Sequence, residues 1–431
     1  MTMKTPAPSA RSVAARVVGR VLFQQAYTAA ALDAELSRTA QLDARERGLA
    51  TELSYGVLRT RPALEARLKR YMATGVKDET TLVHLLVAAY QLLILERVPA
   101  FAAVNAAVEA VRLERGPRMA GFVNAVLRKL SGGGERLSMA AALRESAPAW
   151  LHERLRGAVG EEEALALLGA DGVMPGVAVR LVAGRPVPEW LATAPVGKVS
   201  PRARRLERLG DLRKRPGYAE GAFVVQEEGA QAIALLLGAR GGERVLDACA
   251  GRGQKTSLLV EQVGAAGRVW AADLYPAKLD ALGRELERLA LPLPERAAVD
   301  WTAGTAQVPA DFDRVLVDAP CTGTGTLRHR PEIVSRLDAA DPGRLAQLAT
   351  QILRAAATRA RPGGRVVFAV CSVLEEEGEG VVAQVSDLLE PCPFDAPELV
   401  GRIDAQGHSL RLLPGRDGTD GYFVASFARR A

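Results

Sequence analysis

The sequence predicts a multidomain α and α/β protein, with an all-α bundle first, a small α+β connecting segment next, and a doubly wound sheet last. Three observations support this prediction. The chain has 431 residues, too many for a single hydrophobic core. Apolar residues recur at helical spacing as far as about Leu130, and from Gln226 onward short runs of β-formers alternate with helical stretches. We therefore expect domains at residues 1–134, 135–225 and 226–431.

The first domain is predicted to be helical throughout. Asp43 followed by Glu46 predicts a capping box at the start of one helix. The run 82–95 is apolar almost all round, which predicts the central buried helix of a bundle. The glycine-rich run from Ser131 to Gly134 is typical of a linker and sets the predicted end of this domain.

The middle segment contains the strongest basic cluster of the chain. It lies between strands predicted at 177–182 and 223–225. Its members are Arg202, Arg204, Arg205, Arg208, Arg213, Lys214 and Arg215. A solvated surface and a phosphate contact both explain such a cluster, and both interpretations stay open. The net charge of +6, from 56 basic and 50 acidic residues, points only weakly to a polyanionic partner.

Several function classes find no support in the sequence. The four cysteines, at 249, 321, 371 and 392, are too few and too scattered for a disulfide framework, and no C-x-x-C pair suggests zinc. We predict no metal site. The first ten residues lack an apolar signal core, and the run 82–95 is too short to cross a bilayer. Reduced thiols and a cytoplasmic location away from membranes are the expectation.

The C-terminal domain has the βαβ rhythm of a largely parallel, doubly wound sheet. We predict strands at 245–247, 268–273, 313–318, 364–370 and 421–427, and helices at 254–263, 277–289, 341–361 and 378–389. In such a sheet, ligands bind beyond the carboxyl ends of the strands. The residues that follow these strands are therefore the candidates for function.

Two of these strands each lead into a cysteine. Cys321 follows the strand at 313–318, and Cys371 follows the strand at 364–370. Two thiols at one edge of a sheet suggest covalent attack on an electrophile. The alternative is that both are buried structural cysteines, which is the commoner role of a single free cysteine.

A glycine-rich loop and two aspartates indicate a cofactor. The loop Asp247–Thr256 lies between a strand and a helix, and its glycines let the backbone approach a ligand. Asp273 ends the next strand and can accept hydrogen bonds from ribose hydroxyls, while Asp300 ends the third predicted strand and could meet an adenine edge. Since no phosphate-binding signature accompanies them, the combination favours an adenosyl cofactor, and S-adenosylmethionine fits it.

Four stretches together resemble the bacterial small-subunit ribosomal RNA cytosine-5 methyltransferase B family over nearly the whole chain. They are Asp247–Thr256, Asp318–Gly325 with Pro331–Ile333, Cys371–Glu377, and Gly418–Phe423. The N-terminal helices, with Phe122–Arg128, resemble the NusB-type RNA-binding domain that this family carries upstream. The resemblance implies a NusB-like helical bundle and a class I, Rossmann-like methyltransferase sheet.

The resemblance also implies roles for individual residues. Cys371 would add to C6 of a cytosine, Cys321 would help remove the C5 proton after methyl transfer, and Asp318 would contact the ring near N3. The residues implied around S-adenosylmethionine are Cys249, Ala250, Gly251, Arg252, Gly253, Gln254, Lys255, Asp273, Asp300 and Asp318. The implied partner is 16S ribosomal RNA in a single-stranded or opened segment, because the base must leave its stack. We expect a monomer.

Three positions depart from the family pattern. Arg252 and Gln254 stand where the family usually has Pro and Gly, and Val370 stands where it usually has Thr. The altered cofactor loop is the only support for one alternative, a non-catalytic RNA-binding assembly factor. A second alternative is a cytosine-5 methyltransferase that acts on transfer RNA, and the sequence does not exclude it.

Overall fold

The computed structural model describes residues 8–72, 75–170, 176–207, 211–305, 307–394 and 407–431. The chain divides into two compact units. The helical unit contains Met1–Arg154, Ala164–Met174 and Leu327–Leu337, and the sheet unit contains Leu155–Glu163, Pro175–Thr326 and Asp338–Ala431. The domain boundaries expected at 134 and 225 stay a prediction. Arg208 of the basic cluster lies outside the described residues.

The N-terminal part of the chain is all-α, as the apolar spacing predicts. Its helices are α1 (Ala10–Phe23), α2 (Thr28–Arg38), α3 (Ala44–Lys69), α4 (Glu79–Leu93), α5 (Ala100–Arg115), α6 (Pro117–Gly132), α7 (Met139–Ser146), α8 (Ala149–Val159) and α9 (Glu161–Leu168). Helix α4 is the central one, and Leu85, Ala89 and Tyr90 are fully buried in it. The predicted buried helix is therefore confirmed.

The start of α3 corrects one prediction. Asp43 caps the helix, because its side chain accepts a hydrogen bond from the Glu46 N–H at 2.8 Å. The Glu46 side chain does not complete a capping box. It accepts instead from the Ala10 N–H at 2.7 Å, at the first turn of α1. The N-terminal N–H groups of a helix lack intrahelical partners, so the carboxylate satisfies one on the neighbouring helix.

The middle segment forms a small antiparallel sheet in the order β2-β1-β3. Its elements are β1 (Val177–Leu181), α10 (Glu189–Ala192), β2 (Ala203–Leu206) and β3 (Phe223–Val225). Strand β2 was not predicted, and it lies inside the basic cluster. Arg202 is ion-paired with Glu261 at 2.8 Å, and Arg213 with Asp211 at 2.8 Å. Part of the cluster's charge is thus balanced within the protein, and its contact with phosphate stays a prediction.

The large sheet has the order β10-β11-β8-β7-β4-β5-β6, and β9 pairs with β11. Its strands are β4 (Arg244–Asp247), β5 (Arg268–Asp273), β6 (Glu295–Ala298), β7 (Phe312–Asp318), β8 (Ala360–Val370), β9 (Leu389–Pro391), β10 (Ser409–Leu412) and β11 (Tyr422–Arg429). The five adjacent strands β8, β7, β4, β5 and β6 run parallel to one another. Strand β11 pairs antiparallel with β8, and β9 and β10 pair antiparallel with β11. The prediction of a largely parallel sheet is confirmed.

Helices cover both faces of this sheet. They are α11 (Glu228–Leu236), α12 (Gln254–Val263), α13 (Pro276–Leu289), α14 (Asp341–Ala357), α15 (Glu379–Ala383) and α16 (Pro414–Asp417). Apolar residues of α11, α12 and α13 share one core with the sheet, and those of α14 and α15 share another. Two cores on opposite faces make the fold doubly wound, as predicted.

Two predicted helices were too long. Helix α14 ends at Ala357, because Ala360 already pairs with Phe312 in the sheet. Helix α15 ends at Ala383, and Leu389, the first residue of β9, pairs with Arg429 of β11. In both places strand pairing between distant residues overrides the local helical pattern.

Strand β4 lies at the topological switch point of the sheet. Its two neighbours are β5, which follows it in the chain, and β7, which lies on its other side. The crevice beyond its carboxyl end is where open α/β sheets bind ligands. The glycine-rich loop begins there, directly after Asp247. None of the helices among the described residues has the length and apolar character needed to cross a membrane.

Candidate active site

The two predicted thiols meet at the carboxyl edge of the sheet. Strands β7 and β8 are parallel neighbours, with Asp318 in register with Ala369. Cys321 and Cys371 therefore leave the sheet side by side, and their Sγ atoms are 3.4 Å apart. Both side chains are half-buried. Such a pair can face a ligand, which a fully buried structural pair could not.

The two thiols share one hydrogen bond, in which either sulfur can be the donor. The hydrogen bond with Cys371 and then burial raise the pKa of Cys321 well above its usual range. Cys321 therefore keeps its S–H and can donate it toward the Cys371 sulfur. In that orientation the S–H supports negative charge on the partner sulfur, and a thiolate is the form that attacks electrophiles.

An ion pair lies beside the thiols. The Lys255 Nζ is 2.6 Å from Asp318 Oδ2. Burial lowers the pKa of Lys255, but the negative charges of Asp318, Asp247 and Cys371 outweigh it and raise the pKa overall. Lys255 therefore stays an ammonium close to Cys371. A nearby cation of this kind stabilises a thiolate.

The cofactor loop is shaped by two glycines with positive φ. Gly251 has φ of +54°, and a Cβ placed there would meet nothing within 4 Å. Gly253 has φ of +86°, and a Cβ there would lie 2.6 Å from Leu282 Cγ. Gly253 therefore allows the start of α12 to pack closely against α13, while Gly251 leaves open space where a ligand can approach the backbone.

Asp273 holds this loop in place. Its Oδ2 accepts from the Gly251 N–H at 2.9 Å, and its Oδ1 accepts from the Tyr275 N–H at 2.9 Å. Each carboxylate oxygen has a second lone pair, so Asp273 still has acceptor capacity for the contact with ribose hydroxyls that the sequence predicts. It stays a prediction.

Asp247 is a site residue whose role the sequence did not assign. The side chain is 1% exposed, and Oδ2 accepts from the Thr256 hydroxyl at 2.7 Å. Oδ1 has no partner with good hydrogen-bond geometry among the described residues, although the Cys249 N–H is near enough to the carboxylate to lower its pKa slightly. Burial raises the pKa of Asp247 to about 7. An unsatisfied buried carboxylate oxygen beside an open glycine loop suits a ligand that carries an ammonium group, as S-adenosylmethionine does.

Asp300, Cys249 and Ala250 are three further residues predicted to contact the cofactor. Asp300 does not end the third strand as predicted, because β6 stops at Ala298 and Asp300 begins the turn that follows. It is exposed, and its Oδ1 accepts from the Thr302 N–H at 2.9 Å and from the Thr302 hydroxyl at 2.6 Å. Burial and then nearby carboxylates raise the pKa of Cys249 well above its usual range, which makes it unreactive. Ala250 donates its N–H to Ala272 at 2.8 Å. Adenine contact by Asp300 stays a prediction.

The three departures from the family pattern leave the site intact. Arg252 is exposed. Gln254 donates from Nε2 to the Val225 carbonyl at 3.0 Å, which ties the loop to strand β3. Val370 is fully buried in the core beneath the site. None of these side chains replaces or displaces a reacting group.

Backbone hydrogen bonds connect the thiol loops with the Gly418–Phe423 stretch. Gly325 donates its N–H to the Cys371 carbonyl at 3.0 Å, and Gly421 donates to the Gly325 carbonyl at 2.8 Å. A Cβ at Gly325 would lie 1.9 Å from the Gly421 oxygen. Only glycine fits between these two segments, so this stretch braces the loop behind Cys321.

A second buried acid was not singled out by the sequence. Glu377 is 1% exposed and accepts hydrogen bonds from the residues that follow both cysteines, Thr322 and Ser372. It is the third of three consecutive glutamates. The sequence contains no signal that distinguishes it from Glu375, which is exposed.

Comparison with known proteins assigns both parts of the chain. Residues 234–428 match the family model described as 16S rRNA methyltransferase RsmB/F, and residues 8–131 match the NusB family. Ribosomal RNA small subunit methyltransferase B of Salmonella paratyphi C is 32% identical over 450 residues, which cover 97% of this chain and 98% of that protein. A Mycobacterium tuberculosis protein whose name classes it as a methyltransferase is 35% identical and covers 99% of this chain, with 98% of its own length matched.

Solved structures support the same fold. The crystal structure of PH0851 has a TM-score of 0.82 at 20% identity, covering 98% of this chain and all of that one. NSun6 from Pyrococcus horikoshii, solved with the S-adenosylmethionine analogue SFG, has a TM-score of 0.59 at 16% identity and covers 66% of this chain and 98% of its own. On sequence similarity over nearly its full length, the chain belongs to the 16S rRNA methyltransferase RsmB/F family and is an S-adenosylmethionine-dependent methyltransferase.

Proposed function

We propose that the protein transfers a methyl group from S-adenosylmethionine to C5 of a cytidine in 16S ribosomal RNA, through a covalent bond between Cys371 and C6 of the base. One observation carries the proposal. The Sγ atoms of Cys321 and Cys371 lie 3.4 Å apart at the ends of neighbouring strands, with the Lys255–Asp318 ion pair beside them. A reaction that needs both a nucleophile and a base on one ring requires two such groups in one place.

Cys371 is the proposed nucleophile. C5 of cytosine is too weakly nucleophilic to attack a methyl donor unaided. Addition of the Cys371 thiolate to C6 breaks the ring conjugation and makes C5 enamine-like. The ammonium of Lys255 is the cation that supports this thiolate. Burial lowers the pKa of Lys255, and the charge on Cys371 is one of the causes that raise it again.

Asp318 is proposed to balance the charge that forms on the ring. As the C6–S bond forms, electron density moves toward N3. The Lys255–Asp318 pair, 2.6 Å apart, holds a proton that can be shared with N3 through the Asp318 carboxyl. This transfer would keep the adduct neutral and would be reversed when the adduct breaks down.

Cys321 is proposed to remove the C5 proton once the base is methylated. In the free protein the Cys371 sulfur holds the pKa of Cys321 high. When Cys371 is bonded to C6, its charge is gone, and the half-buried Cys321 can lose its own proton to solvent water. The Cys321 thiolate then takes the proton from C5, the C5–C6 double bond re-forms, and the Cys371–C6 bond breaks.

The glycine-rich loop and its neighbours would hold the cofactor. S-adenosylmethionine supplies an electrophilic methyl group when it is bound. Asp247 would contact its ammonium group through the unsatisfied Oδ1, and Asp273 would contact ribose hydroxyls. The open face of Gly251 would allow close approach of the backbone.

The substrate is proposed to be a single-stranded or opened RNA segment, because the base must leave its stack to reach the thiols. In the helical unit, the Tyr27 side chain is 56% exposed. The guanidinium groups of Arg330 and Arg336 each lie 5.4 Å from its ring centre. Exposed aromatic and guanidinium groups together suit unpaired nucleotides. Acting on ribosomal RNA, the protein would work as a monomer in the cytoplasm.

Bisulfite sequencing of total RNA, from cells with and without the protein, tests the substrate. We expect one protected cytidine in 16S ribosomal RNA that disappears with the gene and with Cys371→Ala. A protected site confined to transfer RNA would replace the proposed substrate with the alternative one. If calorimetry detected no binding at millimolar S-adenosylmethionine and no cytidine changed, the non-catalytic assembly role would be favoured.

A further inference from the structure

Glu377 connects the two loops that carry the thiols. Its Oε1 accepts from the Thr322 N–H at 2.7 Å, and its Oε2 accepts from the Thr322 hydroxyl and, at 2.6 Å, from the Ser372 hydroxyl. Thr322 directly follows Cys321, and Ser372 directly follows Cys371. One carboxylate thus binds the neighbour of each reacting cysteine.

Further hydrogen bonds make the connection rigid. The hydroxyls of Thr324 and Ser372 are 2.8 Å apart, and Leu374 donates its N–H to the Ser372 hydroxyl at 3.2 Å. All of these side chains are buried. The two loops come from strands that already pair in the sheet, and this network continues their connection beyond the last backbone pair.

The location of Glu377 is costly for folding, which argues for a role besides stability. It is 1% exposed, and the described residues form no ion pair with it that would offset the loss of hydration. Burial raises its pKa, and the hydrogen bonds from Ser372 and Thr322 lower the pKa only in part. A buried acid with neutral donors alone is seldom the most stable choice for a core position. Acids in such places are concentrated at functional sites.

We propose that Glu377 is a positioning residue for methyl transfer, which holds the Cys321 and Cys371 loops so that their sulfurs lie at contact distance. It acts through Thr322 and Ser372, the residues to which its carboxylate is hydrogen-bonded. The inference rests on the proposed function, since it concerns the same two thiols. Without the carboxylate, Thr322 and Ser372 lose their shared acceptor, and the two loops can move independently. A misplacement of about 1 Å can cost about a hundredfold in rate.

The first test measures the thiol pair without any RNA. The full-length protein is equilibrated with oxidised and reduced glutathione, and the Cys321–Cys371 disulfide is quantified by mass spectrometry of the joined peptides. In this exchange two protein thiols are oxidised and one glutathione disulfide is reduced to two thiols. We expect Glu377→Gln to lower the equilibrium constant for this disulfide by about tenfold or more, because the sulfurs are held together less well.

The second test measures turnover. Glu377→Gln should lower kcat on RNA by about 10- to 100-fold and leave the KM for S-adenosylmethionine within about twofold, because its hydrogen-bond partners Thr322 and Ser372 lie outside the loop 247–256. Thr322→Val, which keeps the N–H bond and removes the hydroxyl, should lie between wild type and Glu377→Gln. Thr322→Ser, which keeps both bonds, should restore wild-type values in both tests. If Glu377→Gln does not fold, the comparison of Thr322→Val with Thr322→Ser still tests the same hydrogen bonds from the donor side.

Two substitutions serve as matched controls. Glu375→Gln makes the same chemical change at an exposed position two residues away. Thr350→Val removes a buried hydroxyl that bonds within its own helix, to the Ala346 carbonyl at 2.9 Å. Both should leave the disulfide equilibrium and kcat within about twofold of wild type. A folded Glu377→Gln variant with an unchanged disulfide equilibrium would overturn the proposal. If RNA methylation were absent but the disulfide equilibrium still depended on Glu377, the proposed function would fail while the positioning role held.

Discussion

Asp247→Asn should remove a pH-dependent loss of stability from the free protein. The pKa of Asp247 is raised from the ordinary 3.8 to about 7 by burial. A carboxyl with a raised folded-state pKa destabilises the fold as it ionises. The penalty begins as the pH rises past the unfolded value and is complete above the folded value. Asparagine keeps the shape and the Thr256 contact but cannot ionise.

The size of the effect follows from the two pKa values. A shift of about three units corresponds to about 4 kcal/mol at high pH, at 1.36 kcal/mol per unit. About 2 to 3 kcal/mol of this falls between pH 5 and pH 8, because part of the penalty is already present at pH 5. Over that range, wild type should lose this much stability relative to Asp247→Asn.

Urea unfolding followed by tryptophan fluorescence at several pH values measures the difference. The signal reports mainly on the sheet unit, since Trp190, Trp270 and Trp301 belong to it. Asp280→Asn is the matched control, because the Asp280 side chain is 67% exposed. Parallel pH profiles for wild type and Asp247→Asn would refute the reasoning. In contrast, cofactor affinity should rise with pH through about 7 in wild type and be weaker and flat in Asp247→Asn.

Three further changes test other parts of the site. Cys321→Ala should accumulate a covalent RNA adduct, visible as a shifted band on a denaturing gel, whereas Cys321→Ala with Cys371→Ala should form none. Gly325→Ala should destabilise the sheet unit by about 3 kcal/mol or more in urea unfolding, because its Cβ would lie 1.9 Å from the Gly421 oxygen. Tyr27→Ala should raise the KM for RNA about tenfold with kcat unchanged, and Tyr27→Phe should not.

The sequence alone was sufficient to predict the fold class and the strand ends that matter. Apolar periodicity distinguished the helical bundle from the α/β sheet, and α12 and β5 were predicted to the residue. The positions of Cys321 and Cys371 after neighbouring strands predicted that the thiols would meet, and their sulfurs are 3.4 Å apart. These features depend on local patterns and on the fixed geometry of parallel strands.

Only the tertiary structure decided which partner each polar side chain takes. Glu46 binds the start of α1 instead of its own helix, Lys255 pairs with Asp318, and Glu377 binds the residues that follow both thiols. Helices α14 and α15 end earlier than predicted because the residues that follow them pair with strands distant in the sequence. Hydrophobic periodicity is a property of residues close together in the sequence, so it can be recognised without the structure. The partner of a side chain far along the chain depends on how helices and strands pack, which no local pattern specifies.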